Sequence, residues 1–294
     1  MRYTLRQMEV FLATARTGNI SRAAEGLAMS QSAASAALQD LERRYDTRLF
    51  DRNGKRLQLN EQGVALRPYA EALLDQANEL ERVLLQDQAS GRLRVGATLT
   101  IGNYVAIPIV RDFRQRYPDV ELNLHVANTE HIVNEVLNYE MDVGLVEGEV
   151  YHDDLDIRRW RDDELVAFCS PDSVYAGAGK LEEKDLPNVK WIVREPGSGT
   201  RQTFDRAMHG ILERLDIHLQ LEHTEAIKRA VEAGMGVGCL SRIALAEAFS
   251  RGSLVPLAIP DRDMSRTFYT VTHKGKYHSA LLDAWLASCQ AASP

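Results

Sequence analysis

The chain has 294 residues, a hydrophobic content of 45% and a net charge of −7. This length predicts two or three domains with packed cores, and no segment approaches the roughly 18 consecutive apolar residues of a membrane span. The amino end lacks the apolar segment of a signal peptide, and three cysteines are too few and too scattered for a disulfide framework or a zinc site. We therefore expect a cytoplasmic protein that has buried, unreactive thiols and no metal or other cofactor.

The charge is distributed unevenly along the chain. Residues 1–60 carry a formal charge of +4, whereas residues 61–294 carry −11. A small basic segment joined to an acidic body is typical of a protein that binds nucleic-acid phosphates through one end. Charge asymmetry alone is a weak indication, because two unrelated domains can differ in the same way.

Residues 5–44 predict three helices separated by short breaks. The first spans residues 5–17, and the second begins near Ile20 with Ser21 placed to cap it. The third runs from Gln31 to about residue 44, and Ser30 is predicted to cap it because a Ser hydroxyl accepts a hydrogen bond from a first-turn N–H. Two helices joined by such a short turn predict a helix-turn-helix unit.

The outer face of the third helix is small, polar and nearly uncharged. Its inner face repeats apolar residues at helical spacing, at Ala34, Leu38 and Leu41. A face that only meets water would carry more Lys and Glu. The major groove of B-DNA admits one helix, and Gln and Ser can hydrogen-bond base edges there. We predict that the residues approaching DNA are Ser30, Gln31, Ser32, Ser35 and Gln39.

A two-stranded wing is predicted after the third helix. Asn53 and Gly54 both tolerate positive φ, so they are expected to form its tight turn. Arg52, Lys55 and Arg56 lie near the tip, where they would neutralise phosphates that flank the groove. A solubilising hairpin tip is the alternative, and the neighbouring helix pair favours the DNA contact.

A long helix is predicted from Glu61 to Gln88, and domain boundaries follow from it. Its apolar residues alternate four and three apart over nearly three heptads, at Leu66, Ala70, Leu73, Ala77, Leu80 and Leu84. We expect this helix to pair with a second copy, and packing against its own first domain is the alternative. The predicted domains are a DNA-binding head over 1–59, a linker helix over 60–89 and a third domain over 90–294.

The third domain is predicted to be α/β, since strands and helices alternate from residue 91 onward. Two successive α/β runs predict two lobes separated by a cleft. Lobe I covers about 90–163 and 268–294, because the last strand and helix are expected to return to it. Lobe II covers about 164–267.

Polar residues follow the carboxyl ends of most of the predicted strands. Ligands of open α/β sheets bind at these ends, against the amino termini of helices. Such a set favours a small solute rich in acceptors, most simply an anion, although ordinary N-capping uses the same residue types. The predicted ligand-binding residues are Thr98, Leu99, Thr100, Asn128, Thr129, Glu147, Ser198, Thr200 and Glu225.

These motifs resemble the LysR-type transcriptional regulators. S-Q-S-A-A-S-A-A-L-Q-D-L-E followed by R-L-F-D-R is similar to their winged helix-turn-helix, and L-R-Q-M-E-V-F-L-A-T-A-R-T-G-N-I-S-R-A-A is similar to their first two helices. The resemblance covers the whole chain and is strongest over residues 1–66. One departure is Ala36, where the family often has a larger polar or basic residue.

The resemblance implies a periplasmic-binding-protein-like effector domain and a linker helix that dimerises two DNA heads. It also implies a homodimer or homotetramer that binds double-stranded promoter DNA, a small-molecule effector and RNA polymerase. Thr98 and Thr100 are implied as effector contacts, and Asn128, Ser198 and Thr200 less directly.

Four segments resemble the regulators of sulfur assimilation and sulfite response within the family: T-L-T-I-G-N-Y, G-L-V-E-G, R-E-P-G-S-G-T-R and H-T-E-A-I-K-R-A-V-E-A-G-M-G-V-G-C-L-S-R. This resemblance implies a small sulfur oxyanion as the effector. Glu147 and Glu225 would repel an anion unless they orient Arg201 or Lys228. An amino acid or another cationic solute is therefore the alternative.

No segment predicts an enzyme. Gly234, Gly236 and Gly238 follow a helix and precede a strand, which is the reverse of the order in a dinucleotide-binding motif. The histidines lack metal-ligand spacing. A solute-binding protein with a fused helical head is the other alternative, but it requires export, against which the missing signal peptide argues.

Overall fold

The computed structural model describes residues 2–54, 56–84 and 91–292. None of the helices in these ranges is long and apolar enough to cross a membrane. The elements of the amino-terminal unit are α1 Leu5–Thr17, α2 Ile20–Gly26, α3 Gln31–Arg44, β1 Phe50–Asn53, β2 Arg56–Leu59 and α4 Glu61–Leu84. Their order confirms the predicted winged helix-turn-helix followed by a long helix.

One core joins the elements of the amino-terminal unit. Phe11 of α1 packs against Phe50 of β1, with 5.6 Å between the ring centroids. Leu38 and Leu41, on the predicted inner face of α3, are buried in the same core. Because α3 is held through this apolar face, its polar face is left at the surface.

Two local details differ from the prediction. Asn19, not Ser21, caps α2, since Asn19 Oδ1 accepts a hydrogen bond from the Ser21 N–H at 2.9 Å. Asn19 has the extended backbone of an N-cap, so Ser21 already lies inside the helix. In the wing, Asn53 pairs with Arg56. The turn therefore begins one residue later than predicted, at Gly54, whose φ is +63°.

The apolar seam of α4 is divided between a buried and an exposed part. Ala70 is buried in the core of the head, and Leu73 is partly buried against it. Leu80 and Leu84 are 60% and 73% exposed. The first half of this apolar stripe therefore packs against its own amino-terminal unit, as the alternative interpretation predicted. Only the second half is exposed to a second copy of the chain. The predicted end of the helix near residue 88 lies outside the described residues.

The remaining described residues alternate strands and helices, as predicted. The strands are β3 Gly91–Thr98, β4 Val120–Ala127, β5 Val143–Glu147, β6 Leu155–Cys169, β7 Lys190–Arg194, β8 Asp216–Leu221, β9 Val237–Ser241, β10 Val255–Leu257 and β11 Ser265–His273. The helices are α5 Ala106–Arg116, α6 Thr129–Leu137, α7 Gly199–Ala207, α8 Thr224–Glu232, α9 Arg242–Arg251 and α10 Ala280–Ala291. A π-helical segment, Ile101–Val105, leads into α5.

These strands form two lobes that share one long strand. In the described ranges the sheet order is β4-β3-β5-β11-β6-β9-β7-β8, with β10 also pairing with β6. The first part of β6 pairs with β11 in lobe I, and its last residues pair with β9 and β10 in lobe II. β11 therefore returns to lobe I as predicted. The two-lobed α/β fold class is confirmed.

The first part of β6, together with α9 and β10, was not predicted from the sequence. Residues 155–164 read L-D-I-R-R-W-R-D-D-E, and most of them are exposed or half-buried. Their strand conformation is fixed by the ladder with β11, which is distant in sequence, so hydrophobic periodicity gave no signal there.

Ion pairs dock α4 against lobe I. Lys276 Nζ lies 2.8 Å from Asp75 Oδ2 of α4 and 2.9 Å from Asp142 Oδ1, just before β5. Asp142 in turn accepts hydrogen bonds from Arg94 of β3, including one of 2.7 Å from Nη2. Arg67 of α4 stacks over the Tyr139 ring at 5.7 Å. The amino-terminal unit and lobe I are thus joined by charge contacts as well as by the chain.

The Asp142 contacts predict a pH-dependent stability. Burial opposes ionisation, but the hydrogen bonds from Arg94 and the charge of Lys276 lower the pKa of Asp142 to about 2 from the ordinary 3.8. A carboxyl whose pKa is lowered by folding stabilises the protein above its unfolded-state pKa, and this contribution is lost as the pH falls toward 2. Asp142→Asn should reduce the free energy of unfolding at neutral pH by about 2 kcal/mol or more.

Urea denaturation of the wild type and the variant between neutral and acidic pH measures this effect. Asp162→Asn is the control, because Asp162 pairs with Arg159 at the surface and such pairs contribute little. Equal losses in the two variants, or a difference that persists unchanged into acid, would contradict the assignment.

Candidate DNA-binding surface and effector cleft

The polar face of α3 is accessible and uncharged. Gln31, Ser32 and Gln39 are exposed, and Ser35 is half-buried. Ser30 caps the helix as predicted by accepting from the Ala33 N–H at 3.2 Å. Its hydroxyl also lies 3.0 Å from the Ser32 hydroxyl. The predicted base-facing residues therefore share one continuous surface.

The wing lies next to this face. A surface cavity of about 600 Å³ is lined by both elements, including Ser35, Gln39, Arg48 and Arg52. Arg48 was not among the predicted DNA-contacting residues, although a positive charge just before the wing indicates a candidate phosphate contact. Arg52 and Arg56 are exposed and make no ion pair with any described residue. Lys55, the third predicted phosphate contact, lies outside the described residues.

At two of the predicted effector positions the polar side chain acts as an N-cap. Asn128 Oδ1 accepts from the His131 N–H at 3.0 Å, and Ser198 Oγ accepts from the Arg201 N–H at 3.5 Å. Ordinary capping, the alternative interpretation, therefore accounts for both of these side chains.

Direct contacts join the two lobes beside these caps. Thr129 Oγ1 donates to the carbonyl of Glu147 at 2.9 Å and accepts from the Gly199 N–H at 3.0 Å. Gly199 lies so close that an added Cβ would be 1.9 Å from the Glu147 carbonyl oxygen. Asn128 Nδ2 also reaches Glu195 Oε1 of lobe II at 3.3 Å.

A buried arginine that the sequence analysis missed connects three of the predicted residues. Arg266 of β11 is 5% exposed. It donates to Thr200 Oγ1 at 2.9 Å and to Thr100 Oγ1 at 3.3 Å, and its Nη2 lies 3.2 Å from Glu147 Oε2. Its Nε donates to Asp163 Oδ2 at 2.7 Å. A charged residue inside a predicted strand was the signal that could have identified it.

Glu225 belongs to a separate contact between the lobes. Its Oε1 accepts from the Tyr104 hydroxyl of lobe I at 2.7 Å and from Lys228 Nζ at 2.6 Å. Burial opposes its ionisation, but the hydrogen bonds from Lys228 and Tyr104 lower the pKa of Glu225. Lys228 thus pairs with Glu225, as one expectation had it. Arg201 instead pairs with Asp205, and Glu147 pairs with Arg266.

The remaining predicted residues differ in their hydrogen bonding. Thr98 is 2% exposed at the end of β3, and its hydroxyl has no partner among the described residues. Leu99 is 9% exposed. Thr224, a polar residue beside Glu225 that was not among the predicted ligand-binding residues, is also buried, and its hydroxyl has no partner among the described residues. Its position at the first turn of α8 was the available signal.

The cysteines are buried and free, as expected. Burial raises the pKa of the Cys239 and Cys289 thiols to about 12, and it also raises the pKa of Cys169. Thiols with such raised pKa values are poor nucleophiles, because the thiolate is the reactive form.

Two family models match the chain. The model “Bacterial regulatory helix-turn-helix protein, lysR family” matches residues 5–64, and “LysR substrate binding domain” matches residues 86–294. The HTH-type transcriptional regulator YeiE of Escherichia coli (strain K12), described as uncharacterized, is 39% identical over 293 residues, which are 100% of this chain and 99% of that protein. A probable RuBisCO transcriptional regulator of Nostoc sp. is 32% identical over 291 residues, covering 96% of this chain and 86% of that protein.

Solved structures share the fold. A full-length OxyR variant from Pseudomonas aeruginosa has a TM-score of 0.76 and 19% identity, covering 99% of this chain and 95% of that one. The CcmR regulatory domain of Synechocystis PCC6803, in complex with 2-PG, has a TM-score of 0.62 and 31% identity, covering 68% of this chain and 96% of that one.

A winged helix-turn-helix head joined to a two-lobed effector domain defines a DNA-binding transcriptional regulator. The chain belongs to the LysR family of such regulators. Because this is a family of regulators and not of enzymes, the expectation that the chain is not an enzyme is confirmed.

The close approach at Gly199 predicts a steric effect on the joined lobes. In Gly199→Ala the new methyl group would overlap the Glu147 carbonyl, so α7 must move away from β5. Overpacking of this kind costs about 1–3 kcal/mol. Thermal and urea denaturation should show that loss in the effector domain.

Gly177→Ala is the matched control, since an added Cβ there meets nothing within 4 Å. If the two variants were equally stable, the described contact between β5 and α7 would be wrong.

Proposed function

We propose that this LysR regulator binds promoter DNA through α3 and the wing, and that a small oxyanion bound between its lobes modulates the binding. A sulfur oxyanion is our first candidate, in line with the motifs that resemble the sulfur-responsive regulators. The observation that carries the proposal is the buried guanidinium of Arg266, which meets Thr100 of lobe I and Thr200 of lobe II. Because Glu147 and Asp163 share this charge, the helix amino termini beside Thr100 and Thr200 supply the remaining attraction for an anion.

The two glutamates that argued against an anion each have a cationic partner. Glu147 lies beside Arg266, and Glu225 is bonded to Lys228. Their repulsion of an anion is therefore reduced, which weakens the case for a cationic effector. The CcmR regulatory domain was solved in complex with 2-PG. That complex supports a small-molecule effector for the related domain of this chain.

In the proposed head, Gln31, Ser32, Ser35 and Gln39 meet base edges, while Arg52, Lys55 and Arg56 contact phosphates. The exposed half of the α4 seam, at Leu80 and Leu84, supports pairing of two heads through the linker helix. Two paired heads would bind a two-fold DNA site, and the family resemblance extends this pair to a homotetramer.

Effector binding would change the closure of the lobes and thereby the relative placement of the heads. The change would alter DNA bending and the recruitment of RNA polymerase. Since coupling between two sites is reciprocal, DNA should change effector affinity by the same factor as the effector changes DNA affinity.

Two head variants test the DNA surface. Gln31→Ala should relax sequence preference by about 1–3 kcal/mol, because it removes a contact with a base edge. Arg56→Ala should weaken binding to all sequences alike and reduce the salt slope by about 1, because it removes a phosphate contact. Fluorescence anisotropy on fragments of the protein's own promoter and on unrelated DNA, over a range of salt, measures both.

Arg111→Ala, which changes an exposed arginine of α5, is the control and should leave DNA affinity unchanged. If Gln31→Ala lowered affinity for every fragment equally, it would contradict base recognition by α3.

A cleft variant tests the effector site. Thr98→Val removes a hydroxyl that has no partner among the described residues, so the variant should be at least as stable as the wild type and should keep its DNA affinity. The rise in melting temperature caused by the stabilising oxyanion should be reduced or absent, since a ligand stabilises in proportion to its binding. The oxyanion is found by a thermal-shift screen of small anions and amino acids on the wild type.

The matched control is Thr267→Val, which lies next to Arg266 on the opposite face of β11. An unchanged ligand response in Thr98→Val would show that the oxyanion binds elsewhere.

A further inference from the structure

Four buried polar atoms at the meeting edge of the lobes have no hydrogen-bond partner among the described residues. Three of them belong to groups that can donate, Thr98 Oγ1, Thr224 Oγ1 and Arg194 Nη1, and the fourth is Glu147 Oε2. Each of these residues is at most 2% exposed. Native proteins rarely leave such atoms unpaired, so together they indicate a ligand.

Glu147 carries information about the chemistry of that ligand. Its Oε1 accepts from the Thr200 hydroxyl at 3.1 Å. Its Oε2 lies 3.2 Å from Arg266 Nη2, but this ion pair lacks hydrogen-bond geometry, and Nη2 donates instead to Thr100. An ionised carboxylate only accepts hydrogen bonds, so Oε2 needs a donor that no described residue supplies.

The charges around Glu147 also require that the ligand bring a hydrogen-bond donor. Glu147 and Asp163 share the single guanidinium of Arg266. An anion that enters beside Glu147 adds a further negative charge, and like charges at this distance repel strongly. A proton on the anion, placed against Oε2, replaces that repulsion with a hydrogen bond. Arg194 on the opposite lobe is held by Glu195 through two bonds of 2.8 Å and keeps Nη1 free to donate.

We propose that the effector is a small oxyanion that carries an acidic proton, which it donates to Glu147 Oε2 while its other oxygens accept from Thr98, Thr224 and Arg194. This inference rests on the proposed function, which supplies the oxyanion, and adds the requirement for a proton. Hydrogen phosphate and hydrogen sulfite belong to this class near neutral pH, whereas sulfate carries no proton there. Glu147 thus selects against fully ionised anions.

The test compares three probes on the full-length protein: inorganic phosphate, sulfite and sulfate. Thermal-shift titration and calorimetry should show that the wild type binds phosphate or sulfite at least about tenfold more tightly than sulfate, because a buried carboxylate left without a donor is costly. Comparing the affinities for phosphate and for sulfite identifies whether the protonated oxyanion is a phosphate or a sulfur oxyanion. In Glu147→Gln the amide can itself donate, so the preference against sulfate should be lost.

Glu149→Gln is the matched control, because the Glu149 side chain is 44% exposed and pairs with Arg206, so the preference should persist. Equal wild-type affinity for sulfate and for a protonated anion overturns the proton requirement but leaves the oxyanion proposal intact. Stabilisation by glycine and by none of the three oxyanions overturns both. The comparison of the three anions on the wild type tests the proton requirement even if Glu147→Gln does not fold.

Discussion

The buried guanidinium of Arg266 is the interaction on which the two-lobed domain depends. It extends from β11, in the sheet shared by the lobes, and it contacts Thr100 of lobe I, Thr200 of lobe II and Asp163 of β6. A buried charge is tolerated only where partners surround it, and removing one partner of such a group costs several kcal/mol. The Arg266 guanidinium therefore holds the two lobes in one relative position, and it also makes the cleft between them polar.

A continuous set of contacts leads from this cleft to the DNA-binding head. Thr98 ends β3, and Arg94 lies four residues earlier, which is about 13 Å along a strand. Arg94 holds Asp142, which holds Lys276, and Lys276 reaches Asp75 of the linker helix. Contiguity alone does not create coupling, because the effector must prefer one of two arrangements. The contacts nevertheless make β3 the strand that links the edge of the cleft to α4.

How far the sequence predicted the molecule depended on the range of the interactions involved. The head was predictable almost to the residue, because caps such as Ser30 and apolar spacings such as Leu38 and Leu41 act within one or two helical turns. Arg266 was missed, since its partners Asp163, Thr100 and Thr200 are 103, 166 and 66 residues away. The first part of β6 was missed for the same reason. The sequence identified polar residues that follow the strands, but which of their side chains act together depends on pairing across the lobes.

Buried polar groups without hydrogen-bond partners distinguish a binding site from ordinary N-capping in this domain. From the sequence, Asn128, Ser198, Thr98 and Thr224 looked alike, as small polar residues at helix starts. In the fold, Asn128 and Ser198 cap helices, whereas the hydroxyls of Thr98 and Thr224 are buried and have no partner in the described part of the chain. Each unpaired buried group costs about 1–3 kcal/mol of stability. Several such groups lie at one edge of this fold, where a bound ligand would supply their missing hydrogen bonds. The free energy of unfolding that they lower is regained only when that ligand is bound.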